Sequence, residues 1–173
     1  MANIVLIGMP GCGKSTVGVL LAKAPQMDFV DTDIILQQQQ GKKLQEIIDQ
    51  VGNDAFLKME EDCVRGLECD QTVVATGGSV VYGKEAMRRL HENGLVVYIR
   101  LPYEEIERRL SNLATRGVTL KKGQTLRNLY DERIPLYEAE ADYTFEPEEG
   151  DVQETVLDLA QRLSARMEAD NGR

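Results

Sequence analysis

Gly8-Met9-Pro10-Gly11-Cys12-Gly13-Lys14-Ser15 is the stretch whose reading decides the fold. Its spacing is that of a phosphate-binding loop, G-x-x-x-x-G-K-[ST]. The β-rich run Asn3–Ile7 leads into it, and a helical pattern runs from Lys14 to about Lys23. Strand, glycine-rich turn and helix therefore follow in order. The glycines let the backbone curl so that successive N–H groups face an anion. The helix start adds its positive dipole end. Lys14 has the length to reach terminal phosphates, and the Ser15 hydroxyl is a ligand for Mg2+. Gly11, Cys12, Gly13, Lys14, Ser15 and Thr16 are the candidate nucleotide contacts. Cys12 admits two readings: a thiol with its pKa lowered by the helix start, or the occupant of a free position in the loop. The second is the simpler.

Working outward, a second short strand, Phe29–Asp31, runs into Asp33. Residues 34–70 read as helical, broken near Gly41 and Gly52. A third strand, Thr72–Ala75, ends in Thr76-Gly77-Gly78. A helix over 83–92, a fourth strand Leu95–Arg100 and a helix over 103–112 follow. Residues 113–125 have no periodicity. A helix starts near Leu126 and is expected to stop around Pro135. Tyr143–Phe145 is a fifth, short strand, and a last helix runs from Val152 to about Met167. Strands alternating with helices predict an α/β, three-layer fold: a parallel five-stranded sheet with helices on both faces. With the phosphate loop after its first strand, this is the P-loop NTPase fold. Residues 1–173 carry no repeat and no linker and are expected to form one domain, with a small mobile lid at about 111–125.

Composition narrows the function. The chain has 173 residues, 42% hydrophobic and 28% charged, which fits one ordinary globular domain. Its net charge of −9 repels phosphodiester backbones and anionic lipid surfaces, so neither nucleic acid nor membrane is expected as a partner. No apolar run approaches the ~20 residues of a membrane span. Met1-Ala2-Asn3-Ile4-Val5 lacks a basic segment and a cleavage site, so no signal peptide is expected. Three cysteines without a C-x-x-C pair and a single histidine support neither a disulfide framework nor a zinc site. A cytoplasmic monomer acting on small molecules is the expectation.

A phosphate loop needs a carboxylate near its magnesium. The third strand ends in Thr76-Gly77-Gly78-Ser79, with no acid, unlike motor or AAA-type ATPases. No N-K-x-D motif marks a GTPase. The remaining candidate is Asp31-Thr32-Asp33, at the sheet edge where open α/β folds bind ligands. On an extended chain, carboxylates at i and i+2 point the same way. One can support Mg2+, and the other can accept a proton from an attacking hydroxyl.

With these residues the chain resembles the shikimate kinases, a branch of the nucleoside-monophosphate-kinase-like P-loop fold, over nearly its whole length. The resemblance is carried by Gly8–Thr16, Asp31-Thr32-Asp33, Gly77-Gly78 and Arg133-Ile134-Pro135-Leu136-Tyr137. It implies ATP and Mg2+ as cofactors and transfer of the γ-phosphoryl group to a hydroxyl of a small carboxylated acceptor, shikimate first of all. It implies that Asp31 and Ser15 support Mg2+ and that Asp33 holds and activates the acceptor hydroxyl. Gly78 would contact the acceptor through its backbone, and Arg133 would bind its carboxylate. Arg109 and Arg116 fall where the family places its lid-helix and lid-loop arginines, with Lys14 and Arg116 stabilising the transferred phosphoryl. The acceptor segment would be about 33–62. Without the resemblance, each arginine reads equally as a surface charge: Arg109 as a solvated ion pair, Arg116 as part of a plain loop. Three positions depart from the family pattern. Leu57 stands in Phe56-Leu57-Lys58-Met59-Glu60 where the family has an arginine. Ser79 ends the glycine run, and Gly117-Val118-Thr119 follows Arg116. Lys58 lies about 100° around the helix from position 57. Two other readings therefore stay open: the same chemistry on another hydroxy acid, sugar acid or hydroxy amino acid, and a nucleotide-binding module without catalysis.

Overall fold

The structure, a computed structural model, describes residues 3–23, 26–111, 118–147 and 152–171. Five strands, β1 (Asn3–Ile7), β2 (Asp28–Asp31), β3 (Thr72–Ala75), β4 (Gly94–Ile99) and β5 (Tyr143–Phe145), form one sheet. Their order is β2-β3-β1-β4-β5, and every neighbouring pair is parallel. Strands covered on both faces need continuous apolar runs. Ile4 to Ile7, Val73 to Ala75 and Val96 to Ile99 are all buried. In register, Ile4 pairs with Val73 and Leu95, and Leu6 with Ala75 and Val97, so the central three strands stack apolar side chains in layers.

Eight helices accompany the sheet among the described residues: α1 (Lys14–Lys23), α2 (Thr32–Gln40), α3 (Leu44–Val51), α4 (Asn53–Arg65), α5 (Lys84–Asn93), α6 (Tyr103–Ser111), α7 (Leu126–Glu140) and α8 (Val152–Asn171). α1 packs on α8 and on β1 to β3, while α5 and α7 pack on β4. The breaks expected near Gly41 and Gly52 are both present. Gly41 is left-handed, at φ 62°, and its N–H closes the last turn of α2 onto Gln37. α2, α3 and α4 are tied together by a small cluster of their own, Leu36, Ile47, Ile48 and Phe56, separate from the core under the sheet. The acceptor segment proposed from sequence thus has an independent apolar anchor.

One boundary differs. The helix expected to stop around Pro135 continues to Glu140. Proline deprives the Asp131 carbonyl of its donor and favours a break there. Tertiary contacts on both sides of Pro135 override that preference. Arg133 and Tyr137, one turn apart, are both fully buried. The Tyr137 hydroxyl donates to Gly78 O at 2.5 Å, and its ring stacks on Tyr98 with centroids 5.2 Å apart. The last helix likewise runs past Met167 to Asn171.

Because β1 and β3 are neighbours and β2 is the next strand out, the loops after all three open at the same sheet edge. The phosphate loop, Asp31 and Gly77-Gly78 therefore meet there, at the position open α/β sheets use for ligands.

Candidate active site

Residues 8–13 curl between β1 and α1. Gly11 and Gly13 have φ of +81° and +98°, which side chains with a Cβ rarely adopt. Lys14 is buried, and its ammonium folds back over the loop, donating to Gly8 O at 2.8 Å and Met9 O at 3.0 Å. Cys12 is buried, with Sγ 3.7 Å from Lys14 Nζ. It fills the space under Gly8 and packs into the main core, in keeping with the simpler reading. Ser15 and Thr16 stand exposed on the first turn of α1.

Asp31 ends β2 and caps α2. Its Oδ1 accepts from the N–H of Asp33 and Ile34, and its Oδ2 accepts the Ser15 hydroxyl at 2.6 Å. That corrects the reading of Asp31-x-Asp33 as an extended pair. Asp33 lies in the first helical turn, because the Asp31 cap turns the chain immediately after the strand. The two carboxylates still sense one another electrostatically, but across a helix start rather than along a strand.

Asp33 Oδ1 is buried and has no hydrogen-bond partner among the described residues. Burial, then the Asp31 charge, raises the pKa of Asp33 to about 6, against the opposing pull of Lys14. A buried polar atom left unpaired calls for a reason, and an acceptor hydroxyl supplies one.

A second buried carboxyl adjoins it. Glu60 on α4 is 4% exposed, hydrogen-bonded to the Ser79 hydroxyl. Burial raises its pKa to about 7; the Ser79 bond opposes this and the Asp33 charge adds to it. The sequence by itself offers no role for Glu60, the last residue of Phe56-Leu57-Lys58-Met59-Glu60. A glutamate one turn after a core phenylalanine was the available signal. The Ser79 hydroxyl is thus engaged with Glu60.

Gly78 is where the elements close on each other. A Cβ at Gly78 would sit 2.7 Å from Pro10 Cδ in the phosphate loop and 3.1 Å from Arg133 Nη1. Arg133 is 1% exposed. Its Nη2 donates to Thr119 Oγ1 at 2.6 Å, and its guanidinium lies over the Tyr82 ring, 5.3 Å from the centroid. Its Nε has no partner, and no carboxylate pairs with it among the described residues. A fully buried cation without an anion is costly, and its environment suits an anionic ligand. Arg133, Leu57, Tyr82 and Thr119 line a cleft of about 580 Å³.

Arg109 on α6 reaches the loop from the other side. Its Nη1 donates to Gly11 O at 3.3 Å while its Nε pairs with Glu105 at 2.6 Å. Hydrogen bonds from Arg108 and Arg109 hold Glu105 well below its ordinary range, at about 2. Arg109 is therefore in an ion pair and against the loop at once. Arg116 and the rest of residues 112–117 of the expected lid lie outside the described residues. The returning arm is described from Val118 onward, with Asn53 Nδ2 donating to Leu120 O at 3.0 Å.

The sequence model for shikimate kinase matches residues 10–164. The chain belongs to the shikimate kinase family. A curated shikimate kinase from Paracidovorax citrulli is 37% identical over 172 residues, covering 96% of this chain and 92% of that protein. One from Clostridium botulinum is 40% identical over 138 residues, covering 78% and 81%. Among solved structures, shikimate kinase from Acinetobacter baumannii in complex with shikimate superposes with a TM-score of 0.83 at 29% identity, covering 98% of this chain and 94% of that one. A gluconokinase from Sinorhizobium meliloti, at 15% identity and a TM-score of 0.54, shares the fold alone. As a member of the shikimate kinase family, the chain is an ATP-dependent phosphotransferase acting on a hydroxyl group of shikimate, which decides between the readings left open by Leu57 and Ser79. Among the described residues, no helix is long and apolar enough to cross a membrane.

Proposed function

We propose that shikimate sits between Asp33 and Arg133, with ATP on the phosphate loop, and that transfer proceeds by positioning and charge neutralisation. The Arg133 guanidinium binds the acceptor carboxylate, a charge-assisted contact of high geometric specificity. Gly78, free of a side chain, lets Pro10 of the phosphate loop and Arg133 both close on its backbone beside the acceptor. Asp33 takes the hydroxyl proton as the oxygen attacks the γ-phosphorus. Burial has moved its pKa towards the operating pH, where a general base is most effective. On the nucleotide side, the backbone N–H groups of Gly11, Cys12 and Gly13 hold the phosphates. Thr16 and Arg109 flank them, and Lys14 leaves the loop carbonyls for the β- and γ-phosphate oxygens. Arg116 supplies further charge from the lid over about 111–125.

The oxygen donors Ser15 Oγ and Asp31 Oδ2, 2.6 Å apart beside the loop, are of the hard type that Mg2+ requires. No group of three or more His, Cys, Asp or Glu side chains among the described residues could hold a metal. This fits an ion carried mainly by phosphates and water, with Ser15 and Asp31 completing its surroundings. When bound there, it neutralises charge on the transferring phosphoryl group. The chain works as one domain and as a monomer in the cytoplasm, with no macromolecular partner in the reaction.

The observation that carries this reading is the unpartnered buried oxygen of Asp33, within electrostatic reach of Lys14 and at the same sheet edge as Gly78, against which Arg133 closes. Asp33→Asn tests it. The expected result is a kcat about 10²- to 10⁴-fold lower, with ATP affinity within about threefold of wild type. Near-wild-type turnover in that variant would refute Asp33 as the base.

A further inference from the structure

The cleft around Arg133 is unevenly charged. Arg133 lies deep in it and the apolar side chain of Leu57 lines it as well. A carboxylate held by Arg133 would face hydrocarbon at position 57, losing hydration there without replacement. Lys58, next in sequence, does not line the cleft; it is exposed and pairs with Asp62 at 3.4 Å. The other cations of the cleft are Lys121 and Lys122, on the arm that returns to α7.

That arm is held in place. Asn53 at the start of α4 donates to Leu120 O, and Arg133 itself donates to Thr119 Oγ1. Of the two acids that line the cleft, Asp54 and Glu132, Glu132 is already engaged. Its Oε1 accepts from Tyr82 at 2.5 Å and from Lys121 at 3.4 Å, and its Oε2 accepts from Gln124 at 2.9 Å. Lys122 makes no ion pair among the described residues. Both lysines are exposed at the cleft mouth, each on a flexible four-carbon stem.

We infer that Lys121 and Lys122 supply the second positive contact to the acceptor carboxylate, opposite Arg133, and so set the preference of this enzyme for an acidic acceptor. The inference rests on the assignment of Arg133 to that carboxylate. Arg133 binds one side of the group within the cleft, and the lysines close on the oxygen that Leu57 leaves bare. Lys121 exchanges its contact with Glu132 for the ligand, while Gln124 and Tyr82 keep Glu132 paired.

The test compares shikimate with its neutral carboxamide in the full-length wild type, Lys121→Met, Lys122→Met and the double variant. The double variant is expected to raise KM for shikimate about tenfold. Its kcat and its KM for ATP should stay within about twofold, and its preference for acid over carboxamide should drop by the same tenfold. Adding Leu57→Arg to the double variant should recover most of that preference. A role confined to the Lys121–Glu132 ion pair would shift stability and leave the acid-to-carboxamide ratio alone. An unchanged ratio in the double variant, with shikimate turnover intact, overturns the lysine assignment and leaves Arg133 standing. A wild type that does not distinguish acid from carboxamide overturns the Arg133 reading, and this inference with it.

Discussion

Gly77→Ala puts a methyl group into the tightest part of the proposed acceptor site. The new Cβ would overlap Glu60 Oε1 outright and come within 2.8 Å of Asp33 Oδ1, where side-chain carbons keep at least about 3.4 Å. Neither carboxyl has an easy retreat. Glu60 is buried and bonded to Ser79, and Asp33 is fixed by the cap of α2. Gly77 is held as well, its N–H donating to Thr32 Oγ1 at 3.3 Å. Asp33 must shift by roughly half an ångström and Glu60 by more than that. A displacement near 1 Å at a reacting group costs about 10²-fold in rate. Overpacking of this kind destabilises by about 1–3 kcal/mol. The expected outcome is a kcat about 10²-fold lower, ATP affinity unchanged and a midpoint shift in urea equivalent to about 1–3 kcal/mol. Steady-state kinetics, nucleotide titration and urea melts measure the three. Gly66→Ala is the control: its Cβ would meet Asp62 O at 3.5 Å and Cys63 O at 3.8 Å, both ordinary contacts, at a φ of −82°. If Gly77→Ala turns over shikimate like wild type, the Asp33–Glu60–Gly77 packing does not govern the reaction and the argument fails.

Glu60→Gln should change how stability depends on pH. Glu60 is raised from 4.5 to about 7, so it holds its proton longer in the folded protein than in the unfolded chain. Its contribution is fully present below about pH 4.5 and is lost as pH rises through 7. The span corresponds to about 3 kcal/mol. Relative to wild type, the glutamine variant should gain about that much between pH 4.5 and pH 8 in urea melts; parallel curves would show that Glu60 does not titrate there. Arg133→Met should lower kcat/KM for shikimate about 10- to 100-fold. Its Tm should equal or exceed that of wild type, because a buried cation without a carboxylate is removed. A large drop in Tm would mean that Arg133 is chiefly structural.

The phosphate loop, the five strands and the loop carboxylates were legible because each depends on local chemistry. A glycine at positive φ, a β-branched run and a carboxylate at a strand end announce themselves within a few residues. Gly41 and Gly52 were readable as breaks for the same reason. Pro135 misled because its local penalty is real but smaller than what Tyr137, half a turn further on, gains from Gly78 and Tyr98 elsewhere in the chain. Asp31-x-Asp33 misled because the choice between strand and helix turned on a capping contact that the spacing does not reveal.

Glu60 and Lys121 carry no distinctive signal in the sequence for a related reason. A glutamate or lysine is ordinarily a surface residue, and only burial or a shared cleft changes its meaning. Sequence alone determined that the chain binds phosphates on a P-loop and which kind of sheet carries the loop, since those follow from backbone geometry over short spans. The tertiary structure decided which charges are buried, which are paired and which face an open cleft. Burial and pairing depend on residues dozens of positions apart, such as Glu60 and Ser79 or Arg133 and Thr119, being brought within a few ångströms by packing.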